Sequence, residues 1–336
     1  DGCKPENALT GQISWAEATA SIVVPAAYKN LRFWRNTSVA TLGVGLSATL
    51  PIGTLGYEWD FEQAEYNSSN PAGRITLSST TIADRTHKLS LYRHSSGALV
   101  FGAGTVQWSW GLDNNHDRGS AAASPIMQQA TVNLFADMGV QPATLQSGLV
   151  AATASTDNIA PTSTIVTPIH GAIIPFGTAV NITGTASETG GGVLAAVEVS
   201  TDGGATWVLA NGTTNWSYTW SPSTQGEVPA TIMSRAVDDN GNLEPNGIPV
   251  SANAITITIA APPTPNCPCN IFQPTDVPAQ NLNDNAGGIN VGVKFRSYLN
   301  GFISGIRFYK SAGATGTFTG RLYSSTGTVL ANATFT

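Results

Sequence analysis

Between Val180 and Ile259, apolar side chains return at every second position in four separate runs. These are Val180 and Ile182; Val193, Ala195, Val197 and Val199; Trp216, Tyr218 and Trp220; and Ile255, Ile257 and Ile259. A period of two belongs to extended strands, because successive side chains of a strand leave opposite faces of its sheet. On a helix the same positions would point to all sides and build no common face. Strands with one apolar face need a second sheet to cover it, so the span 162–260 predicts a two-layer β-sandwich. Asp202-Gly203-Gly204 separates two of the runs and reads as a hairpin turn.

That span has a neighbour on each side with a different pattern. Residues 1–152 hold the one convincing helix. Ser124 is a helix N-cap and Pro125 suits the first turn; Met127, Ala130, Leu134 and Met138 follow at helical spacing, Gly139 ends the helix and Pro142 forbids its return. Leu89, Leu91 and then Ala98 to Phe101 flank the turn Ser95-Ser96-Gly97 and predict a hairpin. Further strands are expected around Ser21–Val24, Leu31–Trp34 and Ile75–Ser78. With so little helix, this block is expected to be an incomplete α/β segment. Residues 153–161 read as a small polar linker. Residues 261–268, with Ala261-Pro262-Pro263-Thr264-Pro265, read as a stiff extended one. In 269–336, Ile289, Val291, Val293 and Phe295 alternate with polar residues. Phe302, Ile306 and Phe308, then Leu322, then Val329 to Phe335 continue the pattern, predicting about four strands of a truncated β-sandwich. The chain starts at Asp1 and ends in mid-pattern at Thr336, so both ends are read as cut, with further domains of the same protein expected upstream and downstream.

Composition narrows the function classes. Charged residues make up 11% of the 336 residues, against roughly 25% in an ordinary soluble protein. Thr, Ser, Asn and Gly take their place, a mix that suits extracellular β-proteins and predicts a secreted or cell-surface location. A net charge of −6 and the absence of any Lys/Arg run argue against nucleic acid and against anionic membranes. No stretch approaches the ~18 apolar residues of a membrane-spanning helix. The three cysteines, Cys3, Cys267 and Cys269, are too few and too unevenly placed for a disulfide framework. One or both of Cys267 and Cys269 are expected to pair outside this chain, and the sandwich lacks the two core cysteines of antibody domains.

Few residues carry candidate chemistry. Glu58 lies between Tyr57 and Trp59. A carboxylate walled by aromatic rings loses hydration and rises in pKa, which suits a general acid or base, or a place beside a metal's ligands; the competing reading is a strand-end acid bonded to backbone amides. His87, His94 and His116 fall in the first block, at a spacing that matches no ligand motif. His87 and His116 are the catalytic candidates among them. His116 sits in the polar loop Asp113-Asn114-Asn115-His116-Asp117, which can frame the mouth of a site. Asp238, Asp239, Asn240 and Asn242 offer oxygen ligands for calcium or form a solvated turn, and the turn fits their spacing better. Trp207, Trp216, Tyr218 and Trp220 suit either a sugar-stacking platform or core packing, and the second is favoured. Arg307 and Tyr309 share a strand face and make a candidate ligand face. Gly102-Ala103-Gly104 lacks the third glycine of a dinucleotide loop, and no nucleophile elbow is present.

Longer strings carry resemblances. Leu31-Arg32-Phe33-Trp34-Arg35-Asn36-Thr37-Ser38, Leu55-Gly56-Tyr57-Glu58-Trp59-Asp60, Leu91-Tyr92-Arg93 and the run from Gly97 to Trp108 occur in order. They resemble the C-terminal region of the large subunit of N,N-dimethylformamidase and its relatives. The resemblance implies the end of an amidotransferase-like α/β domain, hydrolysis of a small amide, and an iron held by two tyrosines and a glutamate. Those ligands would lie upstream, so the resemblance assigns no cofactor to this chain, and iron only to the parent protein. Val197-Glu198-Val199-Ser200-Thr201-Asp202-Gly203-Gly204-Ala205-Thr206-Trp207 and the run from Arg235 to Asn242 resemble bacterial immunoglobulin-like repeats. Cys267-Pro268-Cys269, Gly292-Val293-Lys294-Phe295-Arg296 and the run from Gly305 to Lys310 resemble a β-sandwich family catalogued as domain of unknown function 4082. Two functions stand side by side: a fragment of a secreted amide hydrolase with accessory β-domains, its main catalytic residues outside this chain and a small amide as ligand; or a non-catalytic surface protein that binds glycan or protein.

Overall fold

The computed structural model describes residues 4–117, 122–222, 228–248, 250–260, 275–277, 292–295, 302–306, 308–309 and 315–335. They fall into two compact units, Asp1–Ala261 and Pro262–Thr336. The chain is mainly β, and no helix among the described residues is long and apolar enough to cross a membrane.

The first block of the larger unit is built from short antiparallel ladders rather than one sheet. A one-turn helix α1 (Asn7–Thr10) leads into β1 (Ile13–Glu17), which pairs with β4 (Glu58–Phe61). β2 (Val23–Pro25) pairs with β3 (Ser47–Thr49), and β6 (Thr80–Ile82) with β7 (Arg85–His87). β5 (Ile75–Thr76), β8 (Ser90–Arg93) and β9 (Leu99–Gly102) form a three-stranded sheet, with the expected turn at Gly97, whose φ is 89°. Every described ladder of this block is antiparallel, so the described residues show none of the parallel βαβ units that define an α/β sheet.

Helix α2 (Pro125–Asp137) begins and ends where its capping residues require. The Ser124 hydroxyl accepts the Met127 N–H, Pro125 occupies the first turn, and Gly139 leaves the helix at φ 80°. Met127, Ala130 and Leu134 bury into the first core with Phe33, Trp34 and Leu55. Ser124→Ala should cost about 1 kcal/mol, the usual loss for an N-cap. A thermal melt checks this, and an unchanged midpoint would show that the cap contributes nothing.

Leu31–Trp34 is not a strand. Arg32–Trp34 forms a 3₁₀ turn, and Asn36 follows at φ 59°. The turn aims Phe33 and Trp34 into the core, where the Trp34 Nε1–H donates to the Leu77 carbonyl at 3.0 Å. It also brings Arg32 and Arg35 to one carboxylate, Asp137 at the end of α2, at 2.6 and 2.9 Å. An extended segment would send these two arginines, three positions apart, to opposite faces.

The second block is a sandwich of two sheets. One has the order β10 (Thr162–Thr167), β12 (Val180–Ser187), β16 (Asn215–Trp220), β15 (Asn211–Gly212). The other runs β11 (Ile173–Ile174), β18 (Ala254–Ile259), β17 (Val228–Asp238), β13 (Leu194–Ser200), β14 (Val208–Leu209). Ile182, Val197, Val199, Trp216, Ile255, Ile257 and Ile259 form the shared core, with Tyr218 and Trp220 packed at its side. These aromatics are therefore packing residues. Gly184 lies opposite Trp216, and a Cβ there would run into the indole and the Thr164 carbonyl.

Strand β13 departs from simple alternation, because Ala196, Val197, Glu198, Val199 and Ser200 are all buried. One face of the strand fills the sandwich. The other meets the first block, whose core takes in Ala196 and Val237. A bulge between Leu194 and Ala196 shifts the register against β17.

In the unit Pro262–Thr336, β19 (Phe318–Tyr323) and β20 (Val329–Phe335) form an antiparallel pair, and Phe308 stacks on Phe318 and Phe335 at 5.0 and 5.2 Å. The four expected strands reduce to these two among the described residues. Gly292–Phe295, Phe302–Ile306 and Phe308–Tyr309 carry no ladder, and Phe302 is fully exposed. Ile289, Val291, Cys3, Cys267 and Cys269 lie outside the described residues.

Candidate functional site

The three candidate catalytic residues stand in three different settings. Glu58 begins β4 and is exposed, while Trp59 points the opposite way into the core. The aromatic wall expected around Glu58 is absent, because neighbours in a strand leave opposite faces. The desolvated carboxylate of this strand is Asp60, two residues on. Burial, with help from Glu6, raises its pKa to about 6. His87 is fully buried at the end of β7. Its Nε2 lies 2.9 Å from the Ala103 carbonyl oxygen, and its ring packs edge-on to Trp59. Burial lowers its pKa to about 4, although the Ala103 bond works the other way. A histidine sealed in this way is neutral and out of reach of substrate. His116 stacks flat on Trp110, with ring centres 4.4 Å apart, in a loop tied by the Asp113 carboxylate to the Asn115 N–H. Arg307 lies outside the described residues, and Tyr309 is half exposed.

A concavity of substantial size lies elsewhere. A cleft of about 980 Å³ runs between the first block and the sandwich. Its wall on the first block carries Tyr28, Glu62, Arg74 and Lys88; its wall on the sandwich carries Glu188, Glu198, Trp207 and Asn211. Glu62 holds Arg74 on one oxygen and Lys88 on the other, both at 2.6 Å. Burial alone would raise the Glu62 pKa, but the two cations outweigh it and hold the group below its ordinary value. Burial, aided by the Glu62 charge, raises the Tyr28 pKa, so its hydroxyl stays protonated.

Three links from the sandwich fix the two walls. Glu198 accepts the Gly73 N–H at 3.2 Å on each oxygen and holds the Arg235 guanidinium at 2.7 Å, and that guanidinium lies 3.9 Å over the Trp207 ring. Gly73 has φ 66°, and a Cβ on it would press on Val237 and Leu243, so glycine permits this close approach. Asp239 accepts the Arg32 N–H at 2.6 Å and the Val193 N–H at 3.0 Å. Arg93 donates to the Asn240 carbonyl at 2.8 Å.

Among the described residues, the Glu188 Oε2 atom is buried with no hydrogen-bond partner. Asp157, Glu188 and Asp238 each bring an oxygen within 4.8 Å of the others. Asp238 is at the same time the anchor of a turn, accepting the N–H groups of Asn240 and Asn242 at 2.9 and 2.8 Å. Burial raises its pKa to about 6 even against those bonds, with Asp157 adding to the rise.

Of the cleft residues, Trp207 alone is a candidate from the sequence, among aromatics suited to sugar stacking or to core packing. A further signal is Glu198, a charge set between Val197 and Val199 on the face of a strand that alternation alone would expose to water.

Among solved structures, the fibronectin(III)-like modules of CbhA from Clostridium thermocellum align at 17% identity over 30% of this chain and 96% of theirs, with a TM-score of 0.23. An engineered protein aligns at 18% identity over 33% of this chain and 22% of its own, with a TM-score of 0.20. A search of curated proteins finds no match. Family models match three stretches in order: residues 1–122 match the N,N-dimethylformamidase beta subunit-like, C-terminal family, residues 161–233 a bacterial Ig domain, and residues 275–336 domain of unknown function 4082.

Proposed function

We propose that this chain is part of a secreted, modular bacterial protein related to N,N-dimethylformamidase-type amide hydrolases. In this reading residues 1–261 supply rigid accessory architecture, as the closing segment of an amidotransferase-like domain joined to an immunoglobulin-like one. The observation that carries the reading is the buried junction at Glu198. It ties the sandwich into the first block as a structural wall, where a spacer would need only a flexible link. The composition and the bacterial Ig match support an extracellular setting.

Hydrolysis is assigned to residues outside this chain, because Glu58, His87 and His116 do not converge on one reacting point. The cleft does not suit the family's iron. Tyr28 and Glu62 line it together, but both Glu62 oxygens are committed to cations that repel a metal ion.

The test is to incubate the purified chain with N,N-dimethylformamide and follow dimethylamine release. The expected result is no turnover above buffer, with or without added ferrous iron, and no effect of Glu58→Gln. Turnover that Glu58→Gln or His116→Ala removes would place hydrolysis in this chain and overturn the accessory role. A second reading, a non-catalytic binding protein, is favoured by the cleft, which two blocks hold open and which carries aromatic and amide side chains.

A further inference from the structure

We infer that the cleft between the first block and the sandwich is a binding site for a neutral oligosaccharide. The inference rests on the binding reading and names its ligand class.

Four features converge on it. The volume, about 980 Å³, sits at the upper end of ligand pockets, which run to roughly 1,000 Å³, and is large enough for a few sugar units. Its shape does not depend on a ligand, since Glu198, Asp239 and Asn240 fix the sandwich to Gly73, Arg32 and Arg93 before anything binds. A preformed site avoids the entropy cost of ordering its own walls.

The charges on the walls are largely used internally. Glu62 is shared by Arg74 and Lys88, and Glu198 by Arg235 and the Gly73 N–H. An anionic ligand would have to draw Arg74 or Lys88 away from Glu62. Groups left to a ligand include the Tyr28 hydroxyl, held protonated, the exposed Asn211 carboxamide and the threonine pair Thr213 and Thr214. Hydroxyls and carboxamides both donate and accept, which matches the paired donor and acceptor character of every sugar hydroxyl.

Trp207 and Tyr28 add aromatic surface for the C–H face of a sugar ring. Trp207 is braced for this by the Arg235 guanidinium on its ring and by its Nε1–H bond to the Gly204 carbonyl at 3.1 Å.

The experiment uses the whole chain on a printed array of short neutral β-glucan, xylan, mannan and chitin oligosaccharides, with polygalacturonate and heparin fragments as acidic controls. Titration calorimetry then follows the best ligand. One neutral family is expected to bind at one site per chain with micromolar to millimolar affinity. Tyr28→Phe and Asn211→Ala should each weaken it by about tenfold, the scale of one lost hydrogen bond. Both positions are peripheral to the cores, and a thermal melt within error of the parent confirms that loss of binding is not loss of fold. Neutral binding that neither variant weakens would keep the binding reading and overturn this site. Preference for the acidic controls would keep the binding reading and overturn the ligand class. Silence across the array would overturn both.

Discussion

Glu198→Ala is expected to lower the stability of residues 1–261 by about 3–5 kcal/mol, the cost of breaking a buried ion pair from one side. Glu198 and Arg235 are 5% and 8% exposed, so neither charge has water to fall back on. Removing the carboxylate leaves the guanidinium without its 2.7 Å partner and the Gly73 N–H without an acceptor. The loss should also change the form of unfolding. Glu198 is one of the charged links between two cores that meet at Ala196 and Val237, Asp239 to the Arg32 N–H being another. A single urea transition in the parent chain should therefore broaden or split in the variant, with Trp34 in one core and Trp216 in the other as fluorescent reporters. Glu198→Gln keeps an acceptor and the volume, and should fall between parent and alanine. A loss below about 1 kcal/mol for Glu198→Ala would mean that apolar packing alone holds the blocks together.

The second large effect is a pH dependence set by His87. Its folded pKa of about 4 lies below the unfolded value of 6.5. Burial is the cause, since Nδ1 has no partner inside the protein to receive a proton's charge. The sign follows from linkage. Above pH 6.5 both states hold His87 neutral and the full stability is present. As pH falls from 6.5 toward 4 the unfolded chain takes up a proton that the folded chain refuses, and stability drops by about 3 kcal/mol at roughly 1.4 kcal/mol per pKa unit.

Asp60 and Asp238 act in the opposite sense. Both have folded pKa values raised to about 6, so the stability they contribute is full below about pH 4 and is lost as pH rises through 6. The total curve is therefore flatter than the His87 contribution. The difference between the parent and His87→Gln isolates it. Urea unfolding of both proteins at pH 4.5 and 7.5 should show the parent losing about 2–3 kcal/mol relative to the variant at the acid end. An equal difference at both pH values would mean that His87 is protonated in the folded state as easily as in the unfolded one.

The sandwich was open to reading because its information is local. Alternation at Val197 and Val199 or at Ile255, Ile257 and Ile259 reflects the pleat itself, which repeats every two residues whatever the strand meets. Helix α2 was equally plain: a serine cap, a first-turn proline and a terminal glycine satisfy backbone groups within a few residues of themselves. Leu31–Trp34 failed because its conformation serves a distant partner. The 3₁₀ turn is held by Asp137, about a hundred residues away, and nothing in its own spacing announces that carboxylate.

The candidate site divides in the same way. The sequence by itself determined the modules, their order, four of the sandwich strands and the ends of the helix, because capping, turn chemistry and the pleat act between near neighbours. Only the tertiary structure decided that Glu58 faces water, that His87 is sealed in a core, and that Tyr28, Glu62, Glu198 and Trp207 line one cleft. Charge and burial depend on what packs against a side chain, and here the packing partner is a separate block of the chain.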